Sequence, residues 1–431
     1  MKKSALLYAV LVIAPLGLVS CNSGAYGGGG GGATNITKPP SGLTERVLAS
    51  QSASSPSAAP GLIIVNGFND TVGRGAISAG TSPTFMETSP QRAILLAFDS
   101  ATNKVEVVST TKETLTGSIQ LPGPTTSIAV PQSGIGYAAV PTAPLNGSSP
   151  GAVVEMNLTS GGVTATISVP NAQTVISNSN ATQLLVFSND SDAVTIVSPL
   201  LLNSGSPATV SVPGFDRPVY GFFNGSSAYI LNCGAECGGT QASVQILNLA
   251  TTPPTAGALV PVDGATIGFL SGSTLYVAGN SPANSLCTGE TTAAKTCGRL
   301  DAVDLGSMTV TSSAVITDGY HDRIDMGLNS QLFIGSHTCT NVGNVNNVTG
   351  EVRGCLSIYN VNNRTVVIPP DNGDVTGLQS FTTRYVEYVA EGGNLRVYDT
   401  ITDVLLDNDF ISTGTIVITG VITDVKAVDF F

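Results

Sequence analysis

The sequence predicts an all-β fold, a β-propeller of four-stranded blades, on three observations. The first is a recurring strand-turn-strand unit. In residues 184–197 (LLVFSNDSDAVTIV) an apolar run ends at Asn189-Asp190, turns, and a second apolar run begins at Ala193. That is a β-hairpin signal, and versions of it recur at 94–108, 228–249, 275–305, 332–361 and 386–398. The second is the period. Aligned on a small polar residue that closes the third strand of each unit, the copies end at Ser109, Asn157, Ser198, Asn248, Asp304, Asn360 and Asp399, roughly 40 to 55 residues apart, which is the length of a four-stranded blade. The third is composition: 42% of the 431 residues are hydrophobic, only 11% are charged, and Gly, Ser, Thr, Val and Asn abound. β-Branched residues suit a pleated surface, and Gly and Asn suit its turns. No long stretch carries a capped 3.6-residue apolar period.

The first twenty residues read as an export signal. Lys2 and Lys3 make a basic start, and residues 5–19 are apolar, too short for a comfortable membrane span but suited to a signal-peptide core. The run ends Leu18-Val19-Ser20-Cys21, which resembles the lipobox of bacterial lipoproteins. The resemblance implies that the Cys21 thiol receives a diacylglycerol, that the signal 1–20 is removed, and that the new amino terminus is acylated. Several acyl chains give durable anchoring where one does not. Asn22 follows the cysteine; by analogy with enteric bacteria, the absence of Asp there implies the outer membrane.

Residues 21–59 read as a disordered tether. Gly27 to Gly32 is an unbroken glycine run and 50–60 is rich in Ser, Ala and Pro. Such segments bury too little apolar surface to offset ordering entropy. The glycine run is not a phosphate loop, since it follows no strand and contains no Gly-Lys-Ser/Thr.

The propeller is expected over 60–431. Each unit reads as four strands. The first follows a Pro/Gly/Asp joint, as at Leu121-Pro122-Gly123 and Val212-Pro213-Gly214; the second carries the strong apolar run; the third ends at the marker; the fourth is rich in Thr and Val, as in 163–169. Seven complete units fit between about 82 and 412, leaving about 20 residues at each end. Residues 422–431 read as a first strand and 62–67 as a second. A ring closed by pairing the chain ends uses both and leaves no exposed edge. The count is therefore eight blades, one composite, with seven the alternative.

The phrases Leu275-Tyr276-Val277-Ala278-Gly279-Asn280, Leu62-Ile63-Ile64-Val65-Asn66-Gly67 and Gly393-Asn394-Leu395-Arg396-Val397-Tyr398-Asp399 resemble the repeats of the bacterial YVTN-type β-propeller family. The resemblance covers most of 60–431. It implies the fold; function lives in sites grafted on folds. With no Trp in the chain, a WD-type repeat and a Trp-stacked quinone cofactor are excluded, and haem is disfavoured by the lack of C-x-x-C-H. The net charge of −12 argues against nucleic acid, which demands clustered Lys and Arg. The expected partners are the membrane, through the anchor, and an envelope protein or extracellular ligand bound by a monomeric propeller.

Six cysteines remain beyond Cys21, an even number in an exported chain, which favours disulfides. They fall as Cys233/Cys237, Cys287/Cys297 and Cys339/Cys355, each pair between the second and third strands of its own blade, in three successive blades. Local pairing is the simplest connectivity, and loops this short should gain roughly 2–3 kcal/mol each. Zinc is disfavoured, because no C-x2-C occurs. The enclosed segments 288–296 (TGETTAAKT) and 340–354 (TNVGNVNNVTGEVRG) are polar. Loops between second and third strands share a face with the joints between blades, so the stapled loops are expected side by side there. Glu290, Lys295, Asn341, Asn344 and Glu351 become candidate ligand contacts, with Tyr320, His321, Asp322 and Arg323 at the neighbouring joint. The other reading of these loops is braced insertion without binding.

Five joints contain Asp: Asp216, Asp263, Asp318, Asp374 and Asp424. Circling the channel, they would make a partial carboxylate ring of the kind calcium favours, but Asp is also a common solvated turn residue, so no cofactor is expected beyond this weak Ca2+ site. No catalytic residue is assigned. A lactonase-like hydrolase using the channel is the alternative function, because propellers of the resembling kind include lactonases. It needs His, Glu or Arg converging from several blades, whereas His321 and His337 fall in one.

Overall fold

The structure, a computed structural model, describes residues 38–52, 59–145, 149–202, 208–281, 297–339, 354–369, 373–381, 383–408 and 420–429. These form eight four-stranded antiparallel sheets. The first strands of the eight sheets are Pro83–Thr88, Ser127–Gln132, Ala172–Ser177, Pro218–Asn224, Ile267–Ser271, Tyr320–Met326, Val375–Ser380 and Val421–Ala427. Each packs against the first strand of the next sheet, and the last returns to the first. The fold is thus an eight-bladed β-propeller, numbered here as blades one to eight in that order.

Blade eight is the composite blade. Its sheet runs Val421–Ala427, Arg46–Ser52, Gly61–Asn66, Thr71–Ile77 from the channel outward. The closing pair is antiparallel, with Val47 opposite Ala427 and Ser52 opposite Val421. Closure by the chain ends is as expected, but one strand is displaced. Gly61–Asn66 is the third strand rather than the second, and the second, Arg46–Ser52, lies inside the stretch read as tether. Its sequence RVLASQS hides it: six of its seven residues are buried, yet three are polar or charged. Packed between blades on both sides, it shows none of the period-2 alternation that marks a half-exposed strand.

The seam is held by polar groups as well as packing. Arg46 is buried; its Nε and Nη2 donate to Asp429 Oδ2 and Oδ1 (2.7 and 2.6 Å), and its Nη1 to Glu113 Oε1 (2.9 Å) and the Thr110 carbonyl (2.6 Å). Burial alone would lower its pKa; Asp429 and Glu113 more than compensate and raise it. The core lies between blades. Leu96, Phe98 and Val107 of blade one interlock with Ile128, Ala138 and Met156 of blade two. Blade eight joins the ring the same way, through Leu48 and Leu62 against Met86 and Leu95 on one side and Val47 and Val425 against Tyr388 and Val397 on the other.

The polar markers have a physical role. The side-chain oxygens of Asn157, Asn248, Asp304, Asn360 and Asp399 each accept backbone N–H bonds from the turn that follows: Thr159 and Ser160, Ala250, Ser307, Asn362 and Asn363, Ile401 and Thr402. These short side chains thus close the turn between third and fourth strands. Asn66 accepts from Phe68 N–H in the same way, which marks Gly61–Asn66 as a third strand.

Strand direction defines two faces. The joints between blades and the links from second to third strands emerge on one, the upper. The links from first to second and from third to fourth strands emerge on the lower.

Candidate binding face

Two of the three expected disulfides fall on described residues and both are formed, Cys233–Cys237 and Cys339–Cys355, each with Cα atoms 5.6 Å apart. Both sit on the upper face, after the second strands Ser227–Asn232 of blade four and Gln331–His337 of blade six. Cys297 opens the third strand of blade five. Its expected partner Cys287 lies outside the described residues, as do Cys21, Glu290, Lys295, Asn341, Asn344 and Glu351.

The first staple ties three blades together. Its loop turns through Gly234 (φ 60°) and Gly238 (φ 80°), both left-handed, which glycine adopts without a Cβ penalty. A Cβ on Gly234 would also sit 2.2 Å from the Ala242 nitrogen. The turn presents Glu236 toward blade five, where Asn280 donates to its carboxylate from the backbone N–H (2.8 Å) and from Nδ2 (3.1 Å). Asn280 Nδ2 also donates to the Gly319 carbonyl at the joint into blade six (2.7 Å). Burial pushes the Glu236 carboxyl up to about 7 despite the two Asn280 donors.

Blade six supplies the rest. Arg323 Nη1 donates to Asp322 Oδ2 (3.0 Å), and its Nε donates to the Thr376 carbonyl of blade seven (2.7 Å). His337 Nε2 lies 3.0 Å from Asp322 Oδ1 and its Nδ1 3.6 Å from Asp374 Oδ2. The Asp322 hydrogen bond raises the His337 pKa, against an opposing effect of burial. Tyr320 is half-exposed beside them. Its phenol is pushed up to about 12 by desolvation and then by Asp322 and Glu236. Tyr320, Asp322 and Arg323 lie on the upper face at the start of blade six, with His337 beside Asp322 and with Glu236 and Asn280 across the joint from blade five.

His321 does not belong to this group. It is fully buried, and Nε2 meets the Thr317 carbonyl at 2.8 Å. Burial lowers its pKa to about 4. The strand explains the difference. His321 pairs with Ser336 and Arg323 with Gly335, so Asp322 is an extra, bulged residue, and a bulge re-aims side chains. The same bulge inserts Thr84, Gln173, Val219, Thr376 and Thr423 near the start of other first strands. Of these six bulged positions, Asp322 alone carries charge.

The five joint aspartates do not make a ring. Asp216 accepts from Thr240 N–H (3.0 Å), Gln241 N–H (2.7 Å) and the Thr240 hydroxyl. Burial would raise its pKa, but these donors hold it below the usual carboxylate range. Asp374 Oδ1 accepts from Thr338 N–H (2.6 Å). Asp424 lies within the innermost strand of blade eight, where its oxygens take Met86 and Val425 N–H groups at 2.7 and 2.8 Å. Asp263 faces Arg299 at 3.9 Å, and Asp318 is buried. Turn aspartates first satisfy their own backbone. Among the described residues, no group of three or more His, Cys, Asp and Glu is placed to hold a metal ion. Arg217 turns to Asp190 and Asp192, both at 3.6 Å. It lines an open recess with Phe215, Asp216 and Gly238–Thr240 beside the first staple.

Glu236 and Asn280 escaped sequence reasoning. One signal was available: Glu236 is the only charged residue between Cys233 and Cys237. Nothing in the sequence places Asn280 against it, since the contact crosses a blade boundary.

No protein-family model matches the chain, and no curated protein matches it. Solved structures do. A dihydro-heme d1 dehydrogenase, NirN, in complex with DHE superposes with a TM-score of 0.61 at 10% identity, over 91% of this chain and 79% of that one. The computationally designed Ika8 protein gives 0.52 at 9% identity, over 83% and 98%. A putative 6-phosphogluconolactonase from Bacteroides fragilis gives 0.50 at 13% identity, over 90% and 98%. At these identities the chain is similar to them in its propeller fold alone, and sequence-unrelated propellers carry unrelated functions.

Proposed function

We propose that the chain is an acylated bacterial envelope lipoprotein, anchored through Cys21 in the outer membrane, whose YVTN-like propeller binds an envelope protein or extracellular ligand with its stapled upper face. The observation that carries the binding reading is the convergence of Glu236, Asn280, Tyr320, Asp322 and His337 from blades four to six, and Asp374 at the joint into blade seven, on the face that carries the Cys233–Cys237 and Cys339–Cys355 disulfides. Bracing reduces the ordering cost of recognition, and a loop face on a rigid scaffold is the usual place for a binding site. The chemistry of the face is acidic and amide-rich with one half-exposed phenol. It suits a partner offering N–H and O–H donors around an aromatic contact.

The test is affinity capture with crosslinking from intact envelopes, comparing the native chain with a Glu236→Gln, Tyr320→Ala, Asp322→Asn triple variant. A folded variant that loses the captured partner is the expected result. Undiminished capture would remove the function from this face. The anchor is tested separately: Cys21→Ser should abolish acylation and release the protein from the detergent-soluble membrane fraction.

A further inference from the structure

The lower face carries an apolar patch at the point where the described chain begins. The second strand of blade eight starts at Arg46, opposite the last residues of the closing strand, so residues 38–45 lie on the lower face. Ser41 fastens them there, donating from N–H and hydroxyl to Glu113 in a lower turn of blade one, both at 2.6 Å. Immediately beside this segment, the Gly67 N–H donates to the Glu45 carbonyl (2.8 Å). The next residue, Phe68, is 72% exposed. Arg384 of blade seven binds the Gly67 carbonyl and Asp70, which brings the adjacent Tyr385 to the patch. Thr400 N–H donates to the Tyr385 carbonyl (2.8 Å), which adds Ile401 and Val404. Tyr385, Ile401 and Val404 are each more than half exposed. Of the acids around the patch, Asp70 is engaged by Arg384 and Tyr388, and Asp399 by the Ile401 and Thr402 N–H groups; burial, then Asp399, pushes the Asp403 carboxyl up to about 6, toward its uncharged form.

Contiguous exposed apolar side chains mark an interaction surface. What covers this one is indicated by where the chain leads. Cys21 is seventeen residues before Lys38, so even a fully extended chain holds it within about 60 Å of the lower face. Resting on the lipid-anchor reading, we infer that the patch of Phe68, Tyr385, Ile401 and Val404 docks on the lipid bilayer itself, at the boundary of headgroups and acyl chains. Interfacial seats of this kind favour aromatic rings with a polar tip, as Tyr385 supplies, beside fully apolar Phe and Ile. With cationic residues absent from the four, the contact runs on apolar burial and is insensitive to salt. The stapled upper face then points away from the membrane, into the aqueous space from which its partner arrives.

The chain contains no Trp, so a single introduced Trp reports alone. The full-length acylated protein is placed in phosphatidylcholine vesicles brominated on the acyl chain, carrying either Phe68→Trp or, on the upper face, Ala101→Trp. Expected is a blue-shifted Phe68→Trp emission quenched at least twofold more than that of Ala101→Trp, reduced by adding Ile401→Asp and Val404→Asp. The mass of the N-terminal peptide reports acylation independently. Acylated protein with equal or no quenching overturns the docking and leaves the anchor standing, whether the patch is then covered by protein or by nothing. Unacylated protein overturns the anchor and this inference with it.

Discussion

Replacing Arg46 with Met should open the seam of the ring. The guanidinium is bonded at once to the C-terminal segment through Asp429, to blade one through Glu113 and Thr110, and to its own strand by covalent bonds. The Arg46 side chain is 4% exposed and those of Glu113 and Asp429 are 5% and 17% exposed. Methionine keeps the apolar stem but leaves two sheltered carboxylates facing a void of positive charge. Breaking a buried pair by removing one partner costs about 3–5 kcal/mol. Glu113 keeps its two bonds from Ser41, which places the expectation near the lower bound, about 3 kcal/mol. Equilibrium urea unfolding measures it, and a double-mutant cycle with Asp429→Asn isolates the pair, with an expected coupling above about 1 kcal/mol. A loss below about 1 kcal/mol, or strict additivity, would show that strand pairing alone closes the ring. Deleting residues 422–431 is the harsher form of the same perturbation. It uncovers the edge of Arg46–Ser52 and should produce aggregation or loss of cooperative unfolding.

Three further outcomes are expected. Glu387 is fully buried against Asp325, and burial raises its pKa well above 4.5; a carboxyl raised in the folded state stabilises fully below its unfolded pKa and loses that contribution as pH rises toward its folded value. Glu387→Gln should therefore match the native chain near pH 4 and gain on it above, by up to about 1.4 kcal/mol per pH unit in that window, and a pH-independent difference in melting would refute the burial of the charge. Asp322→Asn should lower the His337 pKa, followed by imidazole proton shifts, because the Asp322 hydrogen bond is the leading cause of its elevation; an unmoved titration would dissolve the pairing seen at 3.0 Å. Peptide mapping without reductant should find Cys287 linked to Cys297, and a link from either to another blade would contradict the alignment of blade five.

What the sequence revealed and what it hid follow from the range of the forces involved. The third strands of blades two and four to seven were readable because their last residue serves a local purpose: a short oxygen-bearing side chain that caps its own turn two or three residues on. A signal confined to one turn survives as sequence. The blade count was readable for the same reason, as a sum of such local units. Arg46–Ser52 was hidden because its polar residues are stabilised by groups distant in the chain. Ser50 is satisfied by Thr423, Gln51 by Ala59 and Gly420, and Arg46 by Asp429 and Glu113. Viewed alone, those polar residues resemble tether. The binding face divides along the same line. Its staples are visible as close cysteine pairs, and Tyr320-His321-Asp322-Arg323 as a dense polar run. Which of the four faces outward was decided by a bulge that exists only in the pairing with Ser336 and Gly335. That one extra residue sends His321 into the core and leaves Asp322 to meet His337. Glu236 and Asn280 meet across a blade boundary, and such contacts leave no period or spacing to read. A propeller site is assembled from neighbouring blades, so the features that give it chemistry are the ones the repeat cannot encode.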